Sequence, residues 1–110
     1  MRVYLAGRMS GMPDLNFPAF KMWREKFRAD GHIVFCPAEM SVKAGWEISP
    51  ALNDDVNFRR EVFGINLAWI CSEAEAIALI AGWENSDGAK AEFYVAAALK
   101  LEIIYLPESV

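Results

Sequence analysis

The stretch Ala76-Ile77-Ala78-Leu79-Ile80-Ala81 decides the fold, because it is a continuous apolar run with no alternating polar residue. A strand of this kind needs apolar cover on both faces, which is typical of a parallel sheet between layers of helices. Three other stretches have the same short apolar character, and each is followed directly by glycine or proline. They are Val3–Ala6, His32–Cys36 and Glu102–Leu106. The sequence therefore predicts four strands.

Helical periodicity fills the spaces between these strands. It predicts one helix over about Pro18–Asp30, a second over about Val56–Cys71, and a third that begins at a cap formed by Ser86 or Asp87. Residues 37–57 show no sustained period, and we predict a long loop there that serves as a lid, an interface or both.

This order of elements predicts an α/β fold within a single domain over residues 1–110. The expected architecture is flavodoxin-like and doubly wound, with a mainly parallel four-stranded sheet of order 2-1-3-4 and three main helices. The winding direction reverses between strands one and three, and ligands of open α/β sheets bind at such a switch point. Loops 7–16 and 82–87 are predicted to enter that crevice.

Composition excludes several classes of protein. A hydrophobic content of 55% and a charged content of 24% exclude disorder, and no apolar run is long enough to span a bilayer. No secretory signal pattern is present, so we expect a cytoplasmic protein without a membrane partner. The net charge of −4 argues against binding to a nucleic-acid polymer.

Metals, disulfides and common cofactors find no support in the sequence. Cys36 and Cys71 lie outside any metal-ligand spacing, and we expect both to be buried, reduced thiols. The single histidine, His32, is predicted at the wrong end of its strand for the crevice. Neither GxGxxG nor GxxxxGK[ST] occurs, so we expect no nucleotide cofactor and no metal.

Glu92 is the strongest catalytic candidate. It lies near the start of the third helix, where side chains lean back toward the crevice, and it borders the buried stripe, where desolvation would shift its pKa. The alternative is a carboxylate that only stabilises the helix dipole. Tyr4, in the first strand, is either a core residue or a phenol that orients a carboxylate.

Other candidates lie in the two crevice loops. Arg8, Ser10 and Gly11 could bind an anion such as a 5′-phosphate, although a solvated loop arginine is the alternative. Trp83 either stacks on a base or only covers a helix end.

Four stretches resemble a small, often phage-borne branch of the nucleoside 2-deoxyribosyltransferase-like superfamily. The most specific of them has the pattern Gly-Trp-Glu-x-Ser-x-Gly-Ala-x-x-Glu. The four stretches are Val3–Gly11, Asn16–Phe20, Asn66–Ile70 and Gly82–Glu92.

The resemblance implies an enzyme that acts on the N-glycosidic bond of 2′-deoxynucleosides or their 5′-monophosphates, by transfer or by hydrolysis. Glu92 would be the nucleophile and Tyr4 would orient it. The related enzymes borrow a group from a neighbouring subunit, which implies a homo-oligomer. The residues expected around the substrate are Gly7, Arg8, Ser10, Gly11, Asn16, Asn66, Trp83, Ser86 and Asp87.

This sequence departs from those enzymes at two positions. Asn66 and Ser86 stand where the enzymes have aspartates, and an amide cannot protonate a leaving base. Asp87, one residue away, is a possible substitute. A non-catalytic nucleotide-binding protein and a phage accessory protein that acts through a partner therefore remain alternatives.

Overall fold

The computed structural model describes residues 1–45, 52 and 54–108. Within these residues the sheet has four strands in the order β2-β1-β3-β4, and all three pairings are parallel. The predicted flavodoxin-like α/β architecture and its strand order are confirmed. The strands are β1 (Arg2–Ala6), β2 (Ile33–Phe35), β3 (Ala76–Leu79) and β4 (Glu102–Tyr105).

Four α-helices occur in the described part of the chain, one more than predicted. They are α1 (Phe17–Ala29), α2 (Pro37–Ala44), α3 (Val56–Ser72) and α4 (Asp87–Ala98). Three of them match the predicted helices to within one or two residues at each end. Short 3-10 turns cover Pro13–Asn16 and Trp83–Asn85.

The additional helix α2 corrects the prediction of a continuous loop over residues 37–57. Pro37 begins the helix with a backbone angle that suits a first turn, and Gly45 ends it in the left-handed region with φ of 72°. Ala38 and Ser41 face inward. The helix has only 8 residues, too few for a helical period to stand out in the sequence. Residues 46–51 and 53 of the predicted lid or interface lie outside the described residues.

The two faces of the sheet bury different sets of side chains. Strand residues alternate between the faces, so Val3 and Leu5 join the core under α1, whereas Tyr4 and Ala6 join the core under α3 and α4. All four are completely buried. This double cover explains why the central strands read as continuous apolar runs.

The buried stripe of α3 differs from the predicted one. The helical period of Phe58, Val62, Ile65 and Trp69 predicts that Ile65 faces inward. Its side chain is 37% exposed, while Asn66 and Ile70 are buried. The helix is therefore rotated by about one residue relative to the apolar pattern. A polar side chain occupies the inward position, which hydrophobicity alone does not predict.

Two other expectations concern cysteine and the membrane. Both cysteines are free and Cys36 is buried, but Cys71 is exposed on α3, so the prediction of two buried thiols is wrong for Cys71. Among the described helices, none combines the length and apolarity needed to cross a membrane.

Candidate active site

A cavity of about 420 Å³ opens at the carboxyl ends of β1 and β3, where the predicted switch point lies. Its walls come from the loop after β1, the start of α2, the first half of α3 and the start of α4. The predicted site residues that line it are Gly7, Arg8, Ser10, Asn66, Ser86, Asp87 and Glu92.

Glu92 lies in the middle of the buried stripe of α4. Ser86 caps this helix, because its hydroxyl oxygen accepts a hydrogen bond of 3.1 Å from the backbone N–H of Ala89. Ala89, Glu92 and Ala96 then follow at helical spacing, and all three are buried. Glu92 is only 5% exposed, more deeply buried than its predicted place at the edge of the stripe. Small neighbours let this side of the helix approach the sheet closely.

Two donors bind one oxygen of the Glu92 carboxylate. The hydroxyl of Tyr4 donates to Oε2 over 2.5 Å, and the amide Nδ2 of Asn66 donates to the same atom over 3.3 Å. Neither donor goes to Oε1, and no other residue of the described chain donates to Glu92. The carboxylate therefore has one oxygen held by the protein and one available to the cavity that it lines.

Tyr4 serves both as a core residue and as a partner of the carboxylate. Its ring stacks on Phe35 with centroids 5.3 Å apart and packs against Trp69 at 6.3 Å. The side chain has no exposed surface. Close packing against these two rings, whose own centroids lie 5.2 Å apart, fixes the direction of the phenol, so that its hydroxyl points at Glu92.

Burial raises the pKa of Glu92 to about 7, against the lowering effect of the hydrogen bonds from Tyr4 and Asn66. Burial, followed by the nearby Glu92 charge, raises the pKa of Tyr4 well above its usual range. Tyr4 therefore keeps its proton and remains a donor. Near neutral pH the carboxyl group exists in both protonation states, which suits a nucleophile or a proton carrier.

The loop after β1 folds around Arg8. The guanidinium Nε donates to the backbone oxygen of Ser10 over 3.1 Å, and the Asn16 amide donates to the backbone oxygen of Arg8 over 2.9 Å. Gly11 has φ of 81°, and a Cβ there would lie 2.7 Å from Arg8 Nη2. Gly11 and Asn16 do not line the cavity. Gly11 and Asn16 instead determine the shape of the loop that holds Arg8 at the cavity.

Trp83 also lies outside the cavity lining. Its ring packs on Phe93 of α4 with centroids 4.8 Å apart, and the side chain is half-buried in the core under α3 and α4. Trp83 therefore packs on α4 in this structure, and its stacking on a base stays a prediction. The alternative interpretation, an aromatic ring that covers a helix end, describes its contacts.

The first half of α3 forms a part of the cavity wall that the sequence pattern did not predict. Phe58, Val62 and Phe63 line the cavity above Asn66. The apolar period of this helix is visible in the sequence, but periodicity does not distinguish residues that face a cavity from residues that face the core. The further residues that line the cavity and were not predicted are Met9, Pro37, Ser41, Asp54, Arg59, Asn85, Gly88 and Ala89.

Acidic groups near the cavity mouth differ from Glu92 in exposure. Asp87 lies at the first position of α4, its side chain is 80% exposed, and it pairs with Lys90 at 3.6 Å. Asp54 also lines the cavity and is exposed. Both carboxyl groups are therefore open to water. Among residues 1–45, 52 and 54–108, no group of three or more His, Cys, Asp or Glu side chains could hold a metal ion.

A family model described as "Domain of unknown function (DUF4406)" matches residues 1–105. Nothing among curated proteins or solved structures matches the chain.

Proposed function

We propose that this chain, which belongs to this family, is an enzyme that cleaves the N-glycosidic bond of 2′-deoxynucleosides or their 5′-monophosphates. Glu92 is the nucleophile of this proposal. One observation carries the proposal. Tyr4 and Asn66 both hold Oε2 of a buried carboxylate, while Oε1 is available to a cavity that a ligand can enter.

The chemistry needs a carboxylate of this kind. In the first step Oε1 of ionised Glu92 forms a bond to the anomeric carbon, while the bond from that carbon to the base nitrogen breaks and its electron pair stays on the base. In the second step an oxygen of water or a nitrogen of a second base attacks the same carbon and loses its proton to the Asp87 carboxylate, while the bond from that carbon to Glu92 breaks and its electron pair returns to Oε1. Water gives hydrolysis and a second base gives transfer.

The leaving base needs a proton that Asn66 cannot supply, because its amide is not an acid at neutral pH. Asp87 lines the same cavity, and we assign to it the delivery of a proton to the departing nitrogen. Asp87 is the general acid of this proposal. Glu92 acts from the enclosed end of the cavity and Asp87 from its mouth.

A phosphate on the sugar would lie near Arg8 and Ser10. Both residues line the cavity, and Arg8 is the predicted anion-binding side chain. The guanidinium uses Nε for the Ser10 carbonyl, and no residue of the described chain accepts a hydrogen bond from its two terminal nitrogens. This arrangement supports the 5′-monophosphate as a substrate beside the free nucleoside.

The resemblance to nucleoside 2-deoxyribosyltransferases supports the same residue roles. By that resemblance the proposed enzyme is a homo-oligomer whose neighbouring subunit completes the site. The alternative is a nucleotide-binding protein that does not turn over, or a phage accessory protein. The neutral Asn66, which donates to Glu92 where the related enzymes have an aspartate, favours that alternative.

The test is chromatography of a mixture of deoxynucleosides and deoxynucleoside 5′-monophosphates after incubation with the protein, with and without a free acceptor base. We expect base release, base exchange or both. Glu92→Gln should lower the rate by at least about a thousand-fold, because it removes the nucleophile but keeps the shape of the side chain.

Glu84→Gln is the matched control, because Glu84 is an exposed carboxylate in the turn before α4 and does not line the cavity. It should keep the wild-type rate. A wild-type protein that binds one of these compounds by calorimetry but never releases or exchanges a base would establish the binding protein instead.

A further inference from the structure

The helix α2 lies between two open spaces. On one side of it, Pro37 and Ser41 line the cavity that contains Glu92. The opposite side lines a groove of about 690 Å³ between α2 and α1. The α2 residues that line this groove are Ala38, Glu39, Val42 and Lys43. The helix is therefore a wall of the cavity that has open space behind it.

Few apolar contacts hold α2 in this position. Its buried residues are Ala38 and Ser41, and of these only Ala38 belongs to the core under α1, to which it contributes one methyl group. By comparison, α1 buries the large side chains of Phe20 and Trp23 in the same core. Because stabilisation by burial grows with the apolar area removed from water, α2 gains little from the core.

Ion pairs of Glu39 supply the connection between α2 and α1. Nη1 and Nη2 of Arg28 donate to its two carboxylate oxygens over 2.9 and 2.8 Å, and Arg24 Nε lies 3.6 Å from the same carboxylate. Arg28 Nη2 also donates to the backbone oxygen of Val34 over 3.1 Å, which fixes the guanidinium against β2. Within the described part of the chain, the two bonds from Arg28 are the hydrogen bonds that join α2 to another helix or strand.

The strength of this connection suits a part that moves. The hydrogen bonds from Arg28 hold the pKa of Glu39 below its usual range, so the carboxylate is charged at neutral pH. The side chains of Arg28 and Glu39 are 41% and 25% exposed, and water and salt weaken an ion pair at that depth. Such a connection can break while the apolar core stays intact.

We propose that α2 is a movable wall of the cavity, and that the ion pairs of Glu39 with Arg28 and Arg24 hold it in the closed position of this structure. When these pairs break, α2 moves into the groove and the cavity opens. Arg28 and Glu39 are positioning residues, because neither lines the cavity. The inference goes beyond the proposed function, since it concerns access to the cavity for any ligand. Of residues 37–57, which the sequence predicts to form a lid or an interface, it concerns only α2.

The rate at which iodoacetamide labels a thiol at residue 41 measures the opening. Ser41 is 5% exposed, so in the closed position Ser41→Cys should react slowly. The parent protein for the test carries Ser41→Cys together with Cys71→Ser, because Cys71 is exposed. Peptide mass spectrometry distinguishes label at residue 41 from label at the buried Cys36. We expect Glu39→Gln and Arg28→Gln each to raise the rate at residue 41 by about 5-fold to 30-fold.

Lys43→Gln is the matched control. Lys43 lies 3.9 Å from the same Glu39 carboxylate but belongs to α2 itself, so its removal breaks an ion pair without releasing the helix from α1. The labelling rate should then stay close to that of the parent protein. A second measurement changes no residue. About 1 M NaCl should raise the labelling rate of the parent protein, but not that of Glu39→Gln, in which the pairs are already absent.

Urea distinguishes the movement of α2 from unfolding of the whole domain. A local opening exposes little surface, so below the unfolding transition the labelling rate at residue 41 should hardly depend on urea. A rate that rises with urea as steeply as the unfolded population would show that α2 opens only when the domain unfolds, and the proposal would be wrong. Equal rates in the parent protein, Glu39→Gln and Arg28→Gln would also overturn it. No nucleoside enters the test, so either failure leaves the proposed function standing.

Discussion

The two faces of β1 differ in what they bury, although neighbouring residues of one strand supply both. Leu5 belongs to the core under α1, an assembly of apolar side chains. Tyr4 faces α3 and α4, where its hydroxyl meets the buried Glu92. The α1 face buries apolar side chains, which stabilise the fold. The opposite face holds a carboxyl group whose burial costs stability when it is charged. That difference distinguishes a structural core from a site.

The largest effect is expected on the α1 face. Leu5→Ala should lower the free energy of unfolding by about 2 to 5 kcal/mol, because it leaves a cavity in a fully buried core. Urea denaturation measures the change. Leu99→Ala is the control, since Leu99 is 45% exposed and the same substitution there should cost much less. Equal losses at both positions would contradict the assignment of Leu5 to a tightly packed face.

On the opposite face of the sheet, we expect Glu92→Gln to raise the free energy of unfolding relative to the wild type, by an amount that depends on pH. The folded protein holds the Glu92 proton up to about pH 7, whereas the unfolded chain releases it near pH 4.5. The stability that this proton contributes is complete below pH 4.5 and is lost as the pH rises through about 7. The variant lacks this loss. Its free energy of unfolding, relative to that of the wild type, should therefore rise by about 3 kcal/mol from pH 4 to pH 8.

Urea denaturation of both proteins at the two pH values measures this gain. Glu84→Gln, at an exposed carboxylate, should track the wild type at both. A difference between Glu92→Gln and the wild type that does not change with pH would show that folding does not shift the pKa of Glu92, and would break the contrast between the two faces.

The smallest expected effect is a change in the pKa of Glu92 when its hydrogen bond from Tyr4 is removed. The Tyr4 hydrogen bond lowers the pKa of Glu92, so Tyr4→Phe should move that pKa above about 7, by roughly one unit or less. An NMR titration of the labelled Glu92 carboxyl carbon reports it without any substrate. Tyr105→Phe is the control, because Tyr105 is 65% exposed on β4. A pKa that stays in place would mean that the phenol does not hold the carboxylate in solution.

Much of the fold could be predicted because it depends on local patterns. The apolar runs of β1 and β3 require two covered faces, and the periodic α1 supplies one cover. The short helix α2 escaped prediction, because two turns give too few residues to define a period. The rotation of α3, which exposes Ile65 and buries Asn66, depends on contacts with α4 and the sheet that no local pattern contains.

The candidate site divides in the same way. Glu92 and Arg8 could be predicted to lie at the cavity from their places at the ends of elements. The direction of the Trp83 ring could not be predicted, because an aromatic ring in a turn can face the cavity or the adjacent helix with the same sequence. Its packing on Phe93 decides the direction.

The sequence by itself determined the strand order, the crevice and a carboxylate directed toward it, because strand and helix periods and right-handed crossovers leave few arrangements. Only the tertiary structure decided that Tyr4 and Asn66 hold the same oxygen of Glu92. These residues are far apart in the chain. Their contacts arise only when β1, α3 and α4 pack together, and no single segment carries that information.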